Sequence, residues 1–268
     1  MASARNEFDA LGDLESIGAV VRSQQLMASM TAISGTLSSF WNLMGDLLRA
    51  GQADAATEAL RTSFDWDAPL LKLNITAQKR AAMKESITEA GRFNVEAMIA
   101  RIYKSRIPLS EQVYKTQALT DGWVESRIDA ALGRGATVAR LRDEVVAFVD
   151  PNVKGGASYA AKRLARTEIN NAYHAVTIVH NEDKPWNEGM QWNLSGSHPT
   201  VDICDTYARR DHSKLGKGVF PLGEVPAKPH PQCLCYTFPK TMEPGAFLDR
   251  LVSGDWDGYL KETYNFDR

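Results

Sequence analysis

Apolar residues recur at helical spacing through most of the first 180 positions, and the pattern then changes. Between residues 76 and 106, Met83, Ile87, Val95, Met98 and Ile102 mark one face of a helix, with Thr76 placed to cap it and Pro108 limiting it. A second helix should start at Ser110, bury Trp123, Val124, Ile128, Ala131 and Leu132, and stop at Gly133 and Gly135, where glycine accepts a left-handed cap. A third follows from near Thr137, with Val138, Leu141, Val145, Phe148 and Val149 on its apolar face; Asp150-Pro151 ends it and Gly155-Gly156 marks a loop. The fourth runs from near Ser158 to His180 on the stripe Ala165, Ile169, Ala172, Val176 and Val179.

The first 75 residues have a different texture. Nothing between Ser23 and Gly45 carries a charge, yet Ser, Thr, Gln, Asn and Gly fill about half of that stretch, whereas a membrane span needs about 20 predominantly apolar residues. Membrane insertion is therefore not expected. The pattern predicts an amphipathic helix around Ile33, Leu37, Phe40, Trp41, Met44, Leu47 and Leu48, docking on the rest of the chain or on a partner subunit.

After residue 181 come Trp186, Trp192, short alternations such as Met190 to Leu194, and five of the eleven prolines between Pro221 and Pro239. Long helices are excluded there. A small loop-rich module with a few short strands is expected, and such a module has difficulty burying enough apolar surface without a staple. The fold class is then α+β, predominantly α: an elongated helical N-terminal region followed by a small loop-rich lobe. Four segments are expected, namely a docking arm over 1–75, a helical region over 76–155, the lobe over 156–240 and an acidic tail over 241–268.

Composition narrows the partners. The 268 residues are 44% hydrophobic and 24% charged with a net charge of −2, an ordinary globular balance without the overall positive charge that would neutralise many phosphates. Charge is uneven, however: −4 over 1–75, +4 over 76–106, −1 over 107–155, +2 over 156–240 and −3 over 241–268. Lys79, Arg80, Lys84, Arg92 and Arg101 give the second segment a local surface for DNA or an acidic partner. Residues 1–10 mix Arg5 with Glu7 and Asp9 before any apolar run, unlike a secretory signal. The three cysteines, all between 204 and 235, are too few for a disulfide framework and fit a reducing compartment.

Those cysteines frame the chemistry. His198-Pro-Thr-Val-Asp202-Ile-Cys204-Asp205, His212 and His230-Pro-Gln-Cys233-Leu-Cys235 crowd soft and borderline ligands into 38 positions. A Cys-x-Cys in extended chain presents both thiolates on one side, and a histidine three residues upstream can fold back over a proline turn. Cys204, His230, Cys233 and Cys235 would make a closed Cys₃His zinc site, structural because no position is left for water; His198 and His212 are reserve ligands. The alternative is three small buried hydrophobes among ordinary turn histidines. His180-Asn-Glu182 followed by Pro231-Gln-Cys233-Leu-Cys235 echoes the zinc-deaminase signature, but that signature spaces its cysteines three apart. No nucleophile elbow, Walker loop, H-E-x-x-H or dinucleotide glycine pattern is present, and Gly216-Lys217-Gly218 reads as a turn. Catalysis is not expected. On the fourth helix, Glu168 lies about 60° from the apolar stripe, which leaves two readings open: a half-buried acid aimed toward the lobe with Arg163, Arg166 or a lobe amide as partner, or a solvated helix flank.

Arg166-Thr167-Glu168-Ile-Asn, Trp192, Asp202-Ile-Cys204-Asp205, Gly218-Val-Phe220-Pro and Pro229-His230-Pro-Gln-Cys233-Leu-Cys235 follow one another as in phage head morphogenesis proteins. Over residues 105–240 the chain resembles the minor head protein family named after the F protein of phage Mu. It departs at Leu234, where that family usually has Arg, so any grip of that Arg on DNA or a neighbour is not carried over. The resemblance implies a virion component made in the host bacterial cytoplasm, present in few copies or as a homo-oligomer at the portal vertex. It would contact the portal protein and other head proteins and, as in some relatives, bind genomic DNA or leave with it. Fused toxin domains occur in some relatives; the 28 residues after position 240 are too few for one. Two other readings stay open: a DNA-binding module acting through the basic helix, and a zinc-dependent nucleic-acid enzyme of deaminase type.

Overall fold

The computed structural model describes residues 19–70, 76–104, 109–134, 138–150, 152–154 and 156–264. Among the described residues five helices come first: α1 (Ala19–Leu70), α2 (Ala77–Ile102), α3 (Leu109–Arg134), α4 (Val138–Val149) and α5 (Ala157–Glu182). Then come β1 (Asn187–Asn193), α6 (Ile203–Arg209), β2 (Val219–Phe220), β3 (Tyr236–Thr241), α7 (Pro244–Ser253) and α8 (Asp257–Tyr264). The chain is α+β and predominantly α, and among the described residues the short strands lie in the C-terminal lobe. No helix of the described residues is long and apolar enough to cross a membrane.

The chain divides into two compact units, Met1–Arg49 with Ile107–Arg166 and Ala50–Arg106 with Thr167–Arg268. They cut across the four sequence segments, because α1 and α5 each contribute to both. In the first unit, Ile33, Leu37, Trp41 and Leu48 form the buried stripe of α1, spaced by four, four and seven. Trp41 and Leu48 meet Leu109 and Val113 of α3 and Ala161 of α5, while Trp123 of α3 stacks on Phe148 of α4 at 3.7 Å between ring centres. Leu47, expected in the apolar face, is 56% exposed: one residue of helix rotates about 100°, so Leu47 and Leu48 cannot share one narrow face. The side chains of Ile128, Ala131, Leu132, Val138 and Leu141, and residues 135–137, 151 and 155, lie outside the described set.

In the second unit, small residues let three helices approach. Ala55, Ala56, Ala59 and Leu60 of α1 pack with Val95 and Ile99 of α2 and with Ala172, Ala175 and Val176 of α5. Gly51 belongs to the same approach, since a Cβ there would stand 2.9 Å from Ile169 Cδ1. The fourth predicted stripe needs correcting at Ile169, 37% exposed, and at Val179, only half-buried. From Asn171 to Ile178 the helix is instead buried almost all round, apart from half-buried Tyr173. One side faces α1 and α2, and Ile178 enters the lobe core on the other.

The lobe's sheet has the order β2-β1-β3, all antiparallel, with Met190 opposite Phe220 and Trp192 opposite Thr237. Gly218, at φ +74, is required where β2 enters: a Cβ would meet the Ala208 carbonyl at 2.7 Å, and its own carbonyl accepts from Trp192 N–H at 2.8 Å.

The acidic tail expected over 241–268 is a pair of packed helices as far as Tyr264. Glu243 caps α7 through Gly245 N–H (2.8 Å) and Ala246 N–H (3.2 Å), with Pro244 in the first turn. Phe247, Leu251, Trp256, Leu260 and Tyr264 bury with Trp186, Phe64 and Ala68. Net negative charge sits on the outer positions and says nothing about this inner face. Beneath the cluster, Lys184 and Asp67, 1% exposed each, form an ion pair, joined by Tyr264 Oη donating to Asp67 (3.2 Å) and Lys184 Nζ donating to Ser63 Oγ (3.3 Å).

Candidate metal centre

Each ligand candidate is fixed by backbone before any ion is considered. Asp202 caps α6 by accepting from Cys204 N–H at 2.7 Å, and Asp205 accepts from Asp202 N–H at 3.0 Å, a reciprocal box that seats Cys204 in the first turn. Cys233 follows a turn in which its N–H reaches the His230 carbonyl (3.4 Å) and Gln232 takes φ +60. Gln232 N–H donates to Thr167 Oγ1 of α5 at 3.0 Å, anchoring that turn. Cys235 immediately precedes β3, so sheet pairing sets its position.

These elements bring the three thiols together. All three cysteines are free and buried, and their Sγ atoms lie within 4.8 Å of one another, Cys204 to Cys233 at 3.6 Å. His230 Nε2 stands 3.5 Å from Cys204 Sγ, and His198 Nδ1 stands 3.8 Å from Cys235 Sγ. With Zn–S near 2.3 Å and Zn–N near 2.0 Å, a tetrahedral centre separates thiolates by about 3.8 Å and thiolate from imidazole by about 3.5 Å. The donors present fit a metal of that kind.

The electrostatics agree. Burial and the neighbouring thiols push the Cys204 thiol far above its ordinary range, and burial raises that of Cys233. Such thiols ionise together only with a cation among them. Lys228, whose own pKa burial lowers, donates from Nζ to the carbonyls of Cys233 (3.0 Å) and Cys235 (2.9 Å). It therefore ties both ends of the Cys-x-Cys segment and brings positive charge to a centre that three thiolates would make net negative. Asp205 pairs with Arg209 (2.9 Å) and with His198 Nε2 (2.9 Å), and the Asp202 amide and His198 hold its carboxyl below the usual range.

The other predicted site residues divide. Cys204, Cys233 and Cys235 come together, with His230 beside Cys204 and His198 beside Cys235; the two histidines group with Asp202 rather than with all three thiols. His212, held in reserve as a ligand, belongs to no metal-ligating group among the described residues; its ring stacks on Phe220 at 4.3 Å between centres. Asp202 pairs with His230 Nε2 at 3.1 Å. Trp192 is 1% exposed in the core that holds the three cysteines, edge-on to Tyr207 and His174. Glu168 is fully buried rather than half-buried and accepts from Gln52 Nε2 on α1 at 3.1 Å, a partner outside those considered; Arg166 is exposed. Glu182, the acid of the deaminase echo, pairs with Arg101 and accepts from Gly223 N–H at 3.1 Å.

On α2, Thr76 caps the helix as expected by accepting from Lys79 N–H at 3.2 Å. Lys79 and Arg80 are exposed, but Lys84 pairs with Asp65 at 2.5 Å and Arg101 with Glu182, which reduces the expected basic face; the side chain of Arg92 lies outside the described residues. Sequence reasoning missed Lys228, the role of Thr167 as anchor of the Gln232 turn and the role of Asp205 as histidine partner. A lysine two residues before the His-Pro-x-Cys-x-Cys run was the available signal for the first.

No protein-family model, no curated protein and no solved structure matches this chain.

Proposed function

We propose that this chain is a minor head protein of a tailed bacteriophage, acting at the portal vertex during head assembly, with a metal-stapled lobe as its rigid element. One observation carries the reading: most of the residues on which the resemblance rests have definite jobs around a single core. Thr167 anchors the Gln232 turn, Asp202 caps α6, Gly218 admits β2, Trp192 and Phe220 pack beside the cysteines, and the His-Pro-Gln-Cys-Leu-Cys run delivers two of the three thiols. A motif whose parts serve one lobe is a structural signature, and a lobe whose strands are only two to seven residues long gains rigidity from a metal.

The metal is zinc, bound by three thiolates and one histidine with no position left for water, and so it holds structure. A DNA-binding role through α2 draws less support, because two of its basic residues are spent on internal ion pairs. The test is the protein content of purified procapsids and virions from the phage that encodes the chain. A few copies per particle, co-isolating with the portal, are expected; absence from both particles overturns the proposal. Elemental analysis of tag-free protein should show one zinc per chain.

A further inference from the structure

We infer that His198, rather than the motif residue His230, supplies the fourth ligand, binding the metal through Nδ1 while Asp205 holds its Nε2. The inference rests on the reading of the thiol cluster as a metal centre. The two imidazoles stand at similar distances from a thiol, His230 Nε2 at 3.5 Å from Cys204 and His198 Nδ1 at 3.8 Å from Cys235, so distance alone does not choose. The second nitrogen does. A ligating histidine commonly gives one nitrogen to the metal and donates its other N–H to a carboxylate or carbonyl, which fixes the tautomer and raises ligand basicity. In His198 these jobs fall on different atoms: Nδ1 faces Cys235, and Nε2 faces Asp205 Oδ2 at 2.9 Å.

In His230 the nitrogen that faces Cys204 also contacts Asp202 Oδ2, at 3.1 Å. A metal-bound nitrogen has neither proton nor lone pair left for that carboxylate, so ligation would break the contact and leave Asp202 facing thiolates of like charge. The Nδ1 of His230 rests 3.1 Å from the Pro231 carbonyl, which orients the ring without relieving the conflict at Nε2. Burial points the same way: the His198 side chain is 11% exposed and that of His230 38%. Asp205 is itself locked by the α6 capping box and Arg209, so the His198 ring is oriented before metal arrives.

The deciding experiment uses the full-length, tag-free protein loaded with zinc and with ¹¹³Cd. Long-range imidazole NMR on the wild-type protein should show one histidine coordinated through Nδ1 with Nε2 protonated, and its ¹¹³Cd coupling should be assigned to His198. His198→Ala should weaken metal binding by about 10–100-fold or more, the loss known for disturbing the shell around such a site, while His230→Ala keeps one metal per chain within about threefold of wild-type affinity. Coordination through Nε2 of His230, loss of metal in His230→Ala with retention in His198→Ala, or retention in both variants overturns the assignment. A wild-type protein that takes up neither zinc nor cadmium when freshly reduced removes the metal centre itself, an outcome separate from the choice of histidine. Should His198→Ala fail to fold, the wild-type spectra alone still decide.

Discussion

The three-helix layer of the second unit and the lobe that follows it are built in opposite ways. In the layer, Ala55, Ala56 and Ala59 of α1 sit against Ala172 and Ala175 of α5, and the long backbone ladders of three helices satisfy their own polar groups. In the lobe, β2 is two residues long, β3 six, and β1 and α6 seven each, with loops between them, so the ladders that share the load are short. Side-chain cross-links take over: three thiols meet in the core, and Lys228 ties the carbonyls on either side of Leu234. The layer should therefore respond to changes of volume, and the lobe to changes of charge and ligation.

The sharpest way to break that contrast is to remove the metal proposed for the thiol cluster. Structural zinc contributes about 10–16 kcal/mol of apparent binding free energy in small zinc-folded domains, so a metal held by the three thiols would dominate the stability of the lobe. Chelation, or Cys233→Ser with Cys235→Ser, should strip hydrogen-exchange protection from β1, β3 and α6 while residues 50–70 of α1 and the middle of α5 keep theirs. Protection lost or kept equally in both regions would refute the contrast.

Next in size is the buried pair Lys184–Asp67, which belongs to neither scheme. Burial pushes the Asp67 carboxyl up and the Lys184 ammonium down, and each partner offsets part of the other's shift. Lys184→Met leaves a buried carboxyl without its cation and should cost about 3–5 kcal/mol in urea unfolding, with much of the loss recovered when Asp67→Leu is added. Lys228→Met should weaken metal binding about 10-fold, as loss of an outer-shell group does, with little change in the exchange protection of the helical layer.

Legibility follows the same division. Helices α2 to α5 are readable because their apolar positions repeat at about 3.6 residues, and Thr76 marks where α2 begins. The cysteines and His230 were readable because their chemistry is rare. What the sequence hid was partnership across distance: Gln52 lies 116 residues from Glu168, and Lys184 lies 117 from Asp67. The two C-terminal helices were hidden differently. Counting charge over 241–268 averaged away the spacing of Phe247, Leu251, Trp256, Leu260 and Tyr264, which is helical when read position by position.

A pH effect of moderate size tests the layer between α5 and the sheet. His174 is fully buried, its Nε2 3.0 Å from the Pro226 carbonyl, and burial lowers its pKa from 6.5 to about 3. The unfolded chain thus binds a proton between those values that the folded chain does not, so stability is complete above pH 6.5 and falls as pH drops toward 3. From pH 7 to pH 5 the loss due to His174 is about 2 kcal/mol. His180, also lowered to about 3 by burial, adds in the same direction. Urea unfolding at the two pH values should show the fall, and His174→Phe should flatten it; an unchanged slope in that variant would show the ring to be protonated in the fold.

The smallest expected effect is at Gly51, where the volume rule for the layer meets helix propensity. Alanine is favoured over glycine inside a helix by about 1 kcal/mol, and Gly51 lies well within α1. The new Cβ would stand 2.9 Å from Ile169 Cδ1 and 3.1 Å from its Cγ1, so the isoleucine must move. Because Ile169 is 37% exposed, it can turn outward and give up contact instead of compressing the layer. The two terms nearly cancel, and Gly51→Ala should change stability by less than about 0.5 kcal/mol. Ile169→Ala removes the obstacle, so in that background Gly51→Ala should recover the full propensity gain of about 1 kcal/mol, a coupling that a double-mutant cycle reads directly. Equal effects of Gly51→Ala in both backgrounds would mean that α1 and α5 do not approach here closely enough for volume to govern the layer.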